Sequence, residues 1–218
     1  MRRFVTLIIC CILYNAALQA QPCITIATGF SKDINNRNET FDHIPVSLQW
    51  KPSPFKNTAF FIKVDYDIPV SGTATGYAYT LNPSLPPEVN LQESIRPYIF
   101  TASLGWRIHL FNTSKNSFYI DLLPLGVCNQ SITVSYKNYD KANYDILNPD
   151  ISIHYTSLVA SAGIVYRMPL EKERNSLLFM LHVQSALLDN TGKYALSYKF
   201  IAPLQLTVGY NFNYNRKK

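Results

Sequence analysis

The clearest pattern of hydrophobic and polar positions lies near the end of the chain, where apolar and polar side chains alternate without exception between residues 204 and 215. The apolar positions are Leu204, Leu206, Val208, Tyr210, Phe212 and Tyr214, and the polar positions are Gln205, Thr207, Gly209, Asn211, Asn213 and Asn215. A period of two residues is that of a β-strand, whose successive side chains point to opposite faces. The polar face carries no charge, whereas a water-facing surface is normally rich in Lys and Glu. The segment therefore predicts a tilted strand that crosses a bilayer, with its apolar face toward lipid and its polar face toward an enclosed interior.

Similar alternation recurs in seven earlier segments. The eight predicted strands cover residues 24–30, 44–51, 58–68, 95–111, 117–126, 153–168, 177–188 and 204–215. In the fourth, Phe100, Leu104 and Trp106 share the apolar face. The sixth alternates less regularly, and we place its apolar residues outside: Leu158, Ala160, Ala162, Ile164 and Tyr166. The pattern predicts an all-β fold, an eight-stranded antiparallel up-and-down transmembrane β-barrel.

The connections between these strands alternate in length. Long connections cover 31–43, 69–94 and 127–150, and short ones cover 52–57, 112–116 and 170–176. In outer-membrane barrels the periplasmic turns are short and the external loops long, and an even number of strands returns both termini to the periplasm. In periodicity and loop length the chain resembles the small eight-stranded bacterial outer-membrane barrels, such as the OmpA membrane domain and OmpX. The resemblance covers nearly all of the mature chain and includes no family-specific motif.

The first twenty residues have the features of a signal peptide. Arg2 and Arg3 precede an apolar run, and Ala20 offers a small residue for cleavage. We therefore expect residues 1–20 to be removed and residues 21–218 to form the barrel domain in the outer membrane. The low charged fraction of 16% and the high aromatic fraction of 13% favour this location over secretion or the periplasm.

The net charge of the chain bears on which partners are expected. The chain has 20 basic and 14 acidic residues, and Arg2 and Arg3 leave with the signal peptide, so the mature net charge is +4. This excess is diffuse, and nucleic acid is not an expected partner. The expected partners are outer-membrane lipid, the barrel-insertion machinery during biogenesis, and an extracellular ligand or protein at the loops.

Cys23 and Cys128 are placed near opposite rims, too far apart for a disulfide.

One hairpin predicts its own register. If the turn between the fourth and fifth strands is centred on Ser114, the numbers of facing residues sum to 228. Trp106 then faces Leu122, Arg107 faces Asp121, Ile108 faces Ile120, His109 faces Tyr119, and Leu110 faces Phe118. An ion pair between Arg107 and Asp121 inside the barrel is predicted.

The interior of an eight-stranded barrel has room only for its own side chains. Charges there are costly unless they are paired. We therefore expect a polar network that plugs the lumen, formed by Lys63, Asp65, Asp67, Arg107, Asp121 and His182. The other interpretation of these residues, an ion or proton path, is the less favoured one.

The sequence shows no catalytic, cofactor or metal site. His154 and Ser157 are three residues apart and would point to opposite faces of a strand, so they could not exchange a proton. His154 and Thr156 share a face, but no motif surrounds them. The four histidines, His43, His109, His154 and His182, are not spaced along the sequence as the ligands of a metal site are. The protein is therefore not expected to be an enzyme and has no expected cofactor.

Five tyrosines lie in the two longest connections: Tyr77, Tyr79, Tyr136, Tyr139 and Tyr144. Tyrosine is common in contact surfaces, so these residues are a candidate recognition surface. Packing within the loops is the competing interpretation.

The main hypothesis is an outer-membrane barrel with a plugged lumen and a structural, adhesive or binding role at its external loops. A secreted soluble calycin-like barrel that binds a small hydrophobic ligand is the alternative, and it requires the two faces of every strand to be reversed. An outer-membrane lipid-modifying enzyme is a third interpretation.

Overall fold

The computed structural model describes residues 23–33, 42–52, 58–70, 72–113, 115–137, 140–146, 151–170, 175–189 and 203–213. The predicted signal peptide, residues 1–20, lies outside this part of the chain. Within it the strands are β1 (Cys23–Asp33), β2 (Asp42–Lys51), β3 (Thr58–Val70), β4 (Gly72–Thr80), β5 (Glu88–Thr113), β6 (Asn116–Lys137), β7 (Tyr144–Asp145), β8 (Ile151–Pro169), β9 (Asn175–Asp189) and β10 (Pro203–Asn213). No helix in the described ranges is long and apolar enough to cross a membrane.

Eight of these strands close a barrel. Their order is β3-β2-β1-β10-β9-β8-β6-β5, and a pairing between β3 and β5 completes the circle. All the pairings are antiparallel. The predicted eight-stranded antiparallel barrel is therefore confirmed.

The apolar face of each barrel strand points outward. Leu206 and Ile164 are both 56% exposed, whereas the interior residues Arg107 and Asp121 are 1% and 0% exposed. The predicted orientation also holds in β8, where Ala162 and Ile164 are exposed and Val165 is buried. A soluble calycin-like barrel needs apolar side chains inside and charged ones outside. The structure has the reverse arrangement, so that alternative is wrong about the faces.

Two predicted loops are wrong, because they contain strands. Residues 69–94 hold β4 and the first part of β5, and residues 127–150 hold the second half of β6 and β7. β4 pairs with β5 from Gly72↔Ile95 to Tyr79↔Glu88, and β7 adds to the other edge of β4. These strands extend beyond the barrel wall. We call this region the head; it comprises residues 72–95, which contain β4 and the start of β5, residues 132–137 of β6, and residues 140–146, which contain β7.

A bulge in β6 explains why its length was underestimated. The register shifts between Leu123 and Gly126, so that Pro124 and Leu125 occupy an irregular step. Proline has no N–H to donate to a ladder, and a bulge is one of the few sheet positions that accept it. Before the bulge the inward residues have odd numbers, as at Leu123, and after it they have even numbers, as at Cys128. The alternation thus changes phase at the point where the predicted strand stops.

The position of Cys128 is corrected by the same observation. It lies within β6 and faces the interior, level in register with Thr101 and Ser157, and it does not follow the strand at a rim. Cys23, at the first position of β1, is also buried. Both thiols are free.

The predicted register of the β5–β6 hairpin is observed over most of its length. Trp106↔Leu122, Arg107↔Asp121, Ile108↔Ile120 and His109↔Tyr119 are all Cα partners. The last predicted pair is wrong, because a second irregularity between His109 and Phe111 makes Phe111 the partner of Phe118. The two rings stack with centroids 4.8 Å apart.

Candidate functional site

Arg107 on β5 is at the centre of the lower interior of the barrel, by which we mean the end away from the head. Its guanidinium donates two hydrogen bonds to Asp121 on β6, at 2.6 and 2.5 Å, and a third to Gln49 Oε1 on β2 at 3.1 Å. The guanidinium also lies over the Phe61 ring, 5.3 Å from its centroid. A bidentate pair of this kind is a strong charge-assisted interaction. Arg107 thereby ties three strands together across the lumen.

His182 on β9 brings a fourth strand to this cluster. Its Nε2 lies 3.2 Å from Asp121 Oδ2, and the imidazole is 1% exposed. Gly163 on β8 is the register partner of His182. A Cβ atom at Gly163 would overlap His182 Cδ2 and lie only 2.5 Å from the Leu181 carbonyl oxygen. The missing side chain at position 163 therefore makes the space that the imidazole occupies.

The other predicted interior charges form a second cluster. Lys63 and Asp65, both on β3, make a salt bridge of 2.9 Å, and Ser47 on β2 donates a hydrogen bond to Asp65. Gln205 on β10 accepts from Lys63 Nζ at 3.2 Å and donates to Asp67 at 3.3 Å. The six predicted interior residues are thus buried but divide into two hydrogen-bonded groups. The alternation placed Gln49 and Gln205 on interior faces, but the sequence analysis did not include these amides in the network, where they link the charges across strands.

Apolar side chains fill much of the remaining interior. One buried cluster consists of Ala27, Tyr119, Val165, Leu178 and Met180. Another consists of Ile99, Cys128 and Val159. Met180 also contacts the polar cluster, since Gln49 Nε2 lies 3.2 Å from its sulfur atom. The described interior therefore holds both paired charges and apolar groups.

The head has a small apolar core of its own. Ala78 on β4, Leu91 on β5 and Ile146 are buried against one another. Partly buried residues that pack on this core are Val89, Tyr136 and Tyr144. Two of the five tyrosines in the candidate contact surface, Tyr136 and Tyr144, are therefore half-buried against this core. A third, Tyr139, lies outside the described residues.

The remaining two tyrosines are exposed on the outward face of the head. Tyr77 is 55% exposed, Tyr79 41% and the next residue of the same alternation, Leu81, 60%. Tyr79 lies between two carboxylate-bearing neighbours, Glu88 on β5 and Asp145 on β7. A shallow cavity of about 330 Å³ is lined by Tyr79, Thr80, Leu81 and Asp145.

The turn beside this surface is held by an aspartate. Asp140 accepts hydrogen bonds from the Asn143 side chain at 2.7 Å and from the Ala142 backbone N–H at 3.0 Å. These bonds, with the Asn143 side chain contributing most, hold the pKa of the Asp140 carboxyl below its usual value. The hydrogen bonds thus favour the charged form of this carboxyl group.

A second cavity, of about 490 Å³, lies on the outside of the barrel wall. We call it the outer groove; it is lined by Tyr66, Tyr98, Phe100, Asn129, Gln130, Ser131, His154 and Thr156. Thr156 donates a hydrogen bond of 2.7 Å to Asn129 Oδ1. The His154 Nε2 atom lies 3.3 Å from the hydroxyl of Ser152. The sequence analysis weighed Ser157 and Thr156 as partners of His154 and missed Ser152, which is two residues away and on the same face.

No group of three or more potential metal-ligating side chains occurs within the described ranges. The Ser152–His154 pair has a hydroxyl and an imidazole in contact. A serine nucleophile also needs a third group that orients the imidazole. The described contacts of His154 include no carboxylate.

Comparisons with known proteins were made by sequence and by structure. No protein-family model matches the chain, and no curated protein matches it significantly. Solved structures with a similar fold include Neisserial surface protein A, at a TM-score of 0.52 and 10% identity over 89% of this chain and 97% of that one. A major outer membrane protein of Thermus thermophilus has a TM-score of 0.51 and 12% identity, over 88% of this chain and 98% of that one. At these identities the likeness shows the fold alone, and that fold is the small eight-stranded barrel of outer-membrane proteins.

Proposed function

We propose that this protein is an integral outer-membrane β-barrel with a sealed lumen, which carries an external head that binds a partner at the cell surface. The observation that carries the proposal is a contrast on the outward face of the sheet. In the wall this face is apolar and suits lipid. In the head it should suit water, yet Tyr77, Tyr79 and Leu81 remain exposed there.

The height of the apolar band supports a membrane location. On β6 the outward residues are apolar from Phe118 to Val127 and become polar at Asn129. The nine steps from Phe118 to Val127, at ~3.3 Å each and a tilt of about 40°, span roughly 23 Å, close to the height of about 25 Å of the apolar band in outer-membrane barrels. Near the lower end, Phe118 contacts Tyr166, which contacts Phe179. A row of aromatic rings at this position is typical of a membrane interface.

The location is tested by fractionation of cells that express the full chain. We expect the mature protein in the outer-membrane fraction, inserted by the cell's barrel-insertion machinery. Its electrophoretic mobility in detergent should change after boiling, because a closed barrel resists unfolding until heated. Recovery in the soluble periplasmic fraction would contradict the membrane assignment.

The sealed lumen is supported by the two charged clusters and by the apolar packing around Met180 and Val159. Planar-bilayer recording of the purified protein should therefore show no steady conductance. An Arg107→Gly variant removes the side chain that crosses the lower lumen, and we expect it to conduct if the fold survives. Large steady conductance in the wild-type protein would contradict a sealed lumen and favour an ion path.

The chemistry around Tyr79 indicates the class of partner. An aromatic ring flanked by Glu88 and Asp145 suits a basic side chain, which can lie over the ring and pair with a carboxylate. Tyrosine also offers a large contact area at low entropic cost. We infer that the head binds a protein segment that bears exposed Arg or Lys.

This binding role is tested with the purified barrel in detergent micelles and an immobilised arginine-rich peptide, with surface plasmon resonance as the measurement. Tyr79→Ser should weaken binding at least about fivefold, because it removes the ring from a contact of this kind. Asp145→Asn should weaken binding more at low salt than at high salt, because the lost attraction between charges is screened by salt. Ser84→Ala, at the exposed tip between β4 and β5, is the matched control and should bind like the wild type. Equal binding by Tyr79→Ser and the control would overturn the role of this face.

We further propose that the protein is not an enzyme and uses no cofactor. The Ser152–His154 pair is the strongest candidate for chemistry, and the described contacts give its imidazole no carboxylate partner. Mass spectra of outer-membrane lipids from expressing cells should match those from cells that carry His154→Gln. Loss of an acyl chain in the wild-type cells alone would contradict this proposal.

A further inference from the structure

We propose that the outer groove binds the phosphorylated sugar headgroup of a glycolipid from the outer leaflet. The inference rests on the proposed membrane location and concerns a surface separate from the head. The groove faces away from the lumen, on four adjacent strands, β3, β5, β6 and β8. Apart from Gln130, which is buried, its residues are at least partly exposed and therefore meet whatever surrounds the barrel at that height.

The height of the groove on the barrel is indicated by the step at which the outward side chains change from apolar to polar. On β6 the change occurs between Val127 and Asn129, and on β8 it occurs between Leu158 and Thr156. Val127 pairs with Leu158, and Asn129 pairs with Thr156, so both strands change at the same step of the sheet. Apolar side chains suit acyl chains, and amides and hydroxyls suit the headgroup layer. The groove thus begins at the boundary between the two.

The groove combines aromatic rings with hydrogen-bonding groups. Phe100 pairs in register with Tyr66 on one side and with Asn129 on the other, and Tyr98 pairs with Ser131. An aromatic ring offers a flat apolar surface to one face of a sugar ring, and amides and hydroxyls can bond to the sugar hydroxyls. An acyl chain cannot form hydrogen bonds with the amides and hydroxyls, and a small phosphate cannot stack on the aromatic rings.

The charge around the groove favours an anionic headgroup. Arg96 lies two residues beyond Tyr98 on the same outward face of β5 and is exposed. In register it faces Thr133, which faces Ser152, the hydroxyl partner of His154. Guanidinium groups recognise phosphate through paired hydrogen bonds. None of the described residues that line the groove is acidic, so the groove does not repel a phosphate.

These features together favour a phosphorylated sugar over a simple phospholipid. A phosphatidylglycerol headgroup would satisfy Arg96 but would leave the ring platform at Tyr98 and Phe100 unused. A neutral sugar would use the platform but not the guanidinium. A phosphorylated diglucosamine lipid uses both, and its acyl chains would extend along the apolar wall below Asn129.

The test uses the purified full-length barrel in detergent and native mass spectrometry, with three probes: a hexa-acylated diglucosamine bisphosphate lipid, phosphatidylglycerol, and the free diglucosamine bisphosphate. We expect one glycolipid to bind per barrel, weaker competition by the free headgroup, and little competition by phosphatidylglycerol. The combined change Arg96→Gln and Asn129→Ala should weaken glycolipid binding about tenfold, since it removes a charged and a neutral hydrogen-bonding group. Thr28→Val, an outward threonine on β1 outside the groove, is the control and should bind normally.

Two results would overturn the inference. One is equal glycolipid retention by the wild type and the combined variant when both show the heat-dependent mobility shift of a folded barrel. The other is phosphatidylglycerol binding as strong as that of the glycolipid. If the protein fractionates with the outer membrane in either case, only the groove assignment fails and the proposed function stands. Absence from the outer membrane would remove both.

Discussion

The wall and the head are built on the same two strands, β5 and β6, yet their apolar side chains lie on opposite faces. In the wall part of β5, Phe100 and Trp106 point outward and Arg107 points inward. In the head part, Val89 and Leu91 lie on the inward face and pack into a core, and Asn90 on the outward face is exposed. The period of two is the same in both regions. The proposed surroundings, lipid around the wall and water around the head, account for the change of apolar face.

The contrast extends to what holds each region together. The wall encloses charges that are paired at short distances, as between Arg107 and Asp121. The head instead has a core of buried apolar side chains, formed by Ala78, Leu91 and Ile146. Burial of a charge makes a region intolerant of losing one partner. The wall should therefore respond to single changes far more strongly than the head.

The largest effect is expected for Arg107→Leu. It leaves the Asp121 carboxylate buried next to the His182 imidazole but without the guanidinium that pairs with it, and the free energy of unfolding should fall by about 3–5 kcal/mol. The measurement is urea unfolding in lipid vesicles, followed through the heat-dependent mobility shift. The double change Arg107→Leu with Asp121→Leu should recover most of the loss, because no charge is left unpaired. Equal losses in the single and double variants would show that packing, and not charge, explains the effect.

A lysine introduced on the outward face should change the stability of the protein by different amounts in the wall and in the head. Leu122→Lys places a charge in the apolar band and should destabilise the barrel by about 2–4 kcal/mol. Asn90→Lys, on the outward face of the head, should change stability by no more than about 0.5 kcal/mol. Both are read from the same urea titration. Similar costs at the two positions would mean that the head also lies in lipid.

Gly163→Ala tests how tightly the wall is packed around His182. The added Cβ atom would collide with the imidazole, so stability should fall by about 1–3 kcal/mol. His182→Ala in the same chain should reduce that cost, and a double-mutant cycle measures the coupling. Purely additive losses would mean that the glycine is needed for its backbone and not for the space it leaves.

The smallest effect on the whole molecule is expected for Leu91→Ala. The head core is small, and its loss should open the head without unfolding the wall. Hydrogen exchange of peptides from 72–95 should speed up about tenfold or more, while the free energy of global unfolding changes by less than about 0.5 kcal/mol, as for a local opening. Leu81→Ala, an exposed position, is the control and should leave exchange unchanged. A drop in global stability with Leu91→Ala would show that wall and head unfold together.

The wall could be predicted from the sequence because its two faces meet very different surroundings. A lipid-facing row such as Leu204, Leu206 and Val208 contains no polar side chain, so both the period and the direction of the face are visible in the sequence. The β5–β6 register followed from the same constraint, since a shift by one residue would turn one strand's apolar face inward.

The head was not predictable in the same way, for two physical reasons. The bulge at Pro124 and Leu125 changes the phase of the alternation in β6, and a pattern of fixed period ends there. β4 is formed largely by Gly, Ala, Thr and Tyr, a composition also common in loops, and its pairing with β5 becomes evident only when the partner strand is known. The outer groove was missed because it is assembled from residues on four strands.

Strand β5 runs from Glu88 to Thr113 without interruption, and its hydrogen-bonded partner on one edge changes partway along its length. Below, at Asp67↔Ile99, it is bonded to β3, and above, at Gly72↔Ile95, it is bonded to β4. If the head lies at the cell surface as proposed, a load applied to it would pass along β5 directly into the hydrogen-bonded wall. The continuous strand would then transmit force from a bound partner to the membrane-embedded barrel.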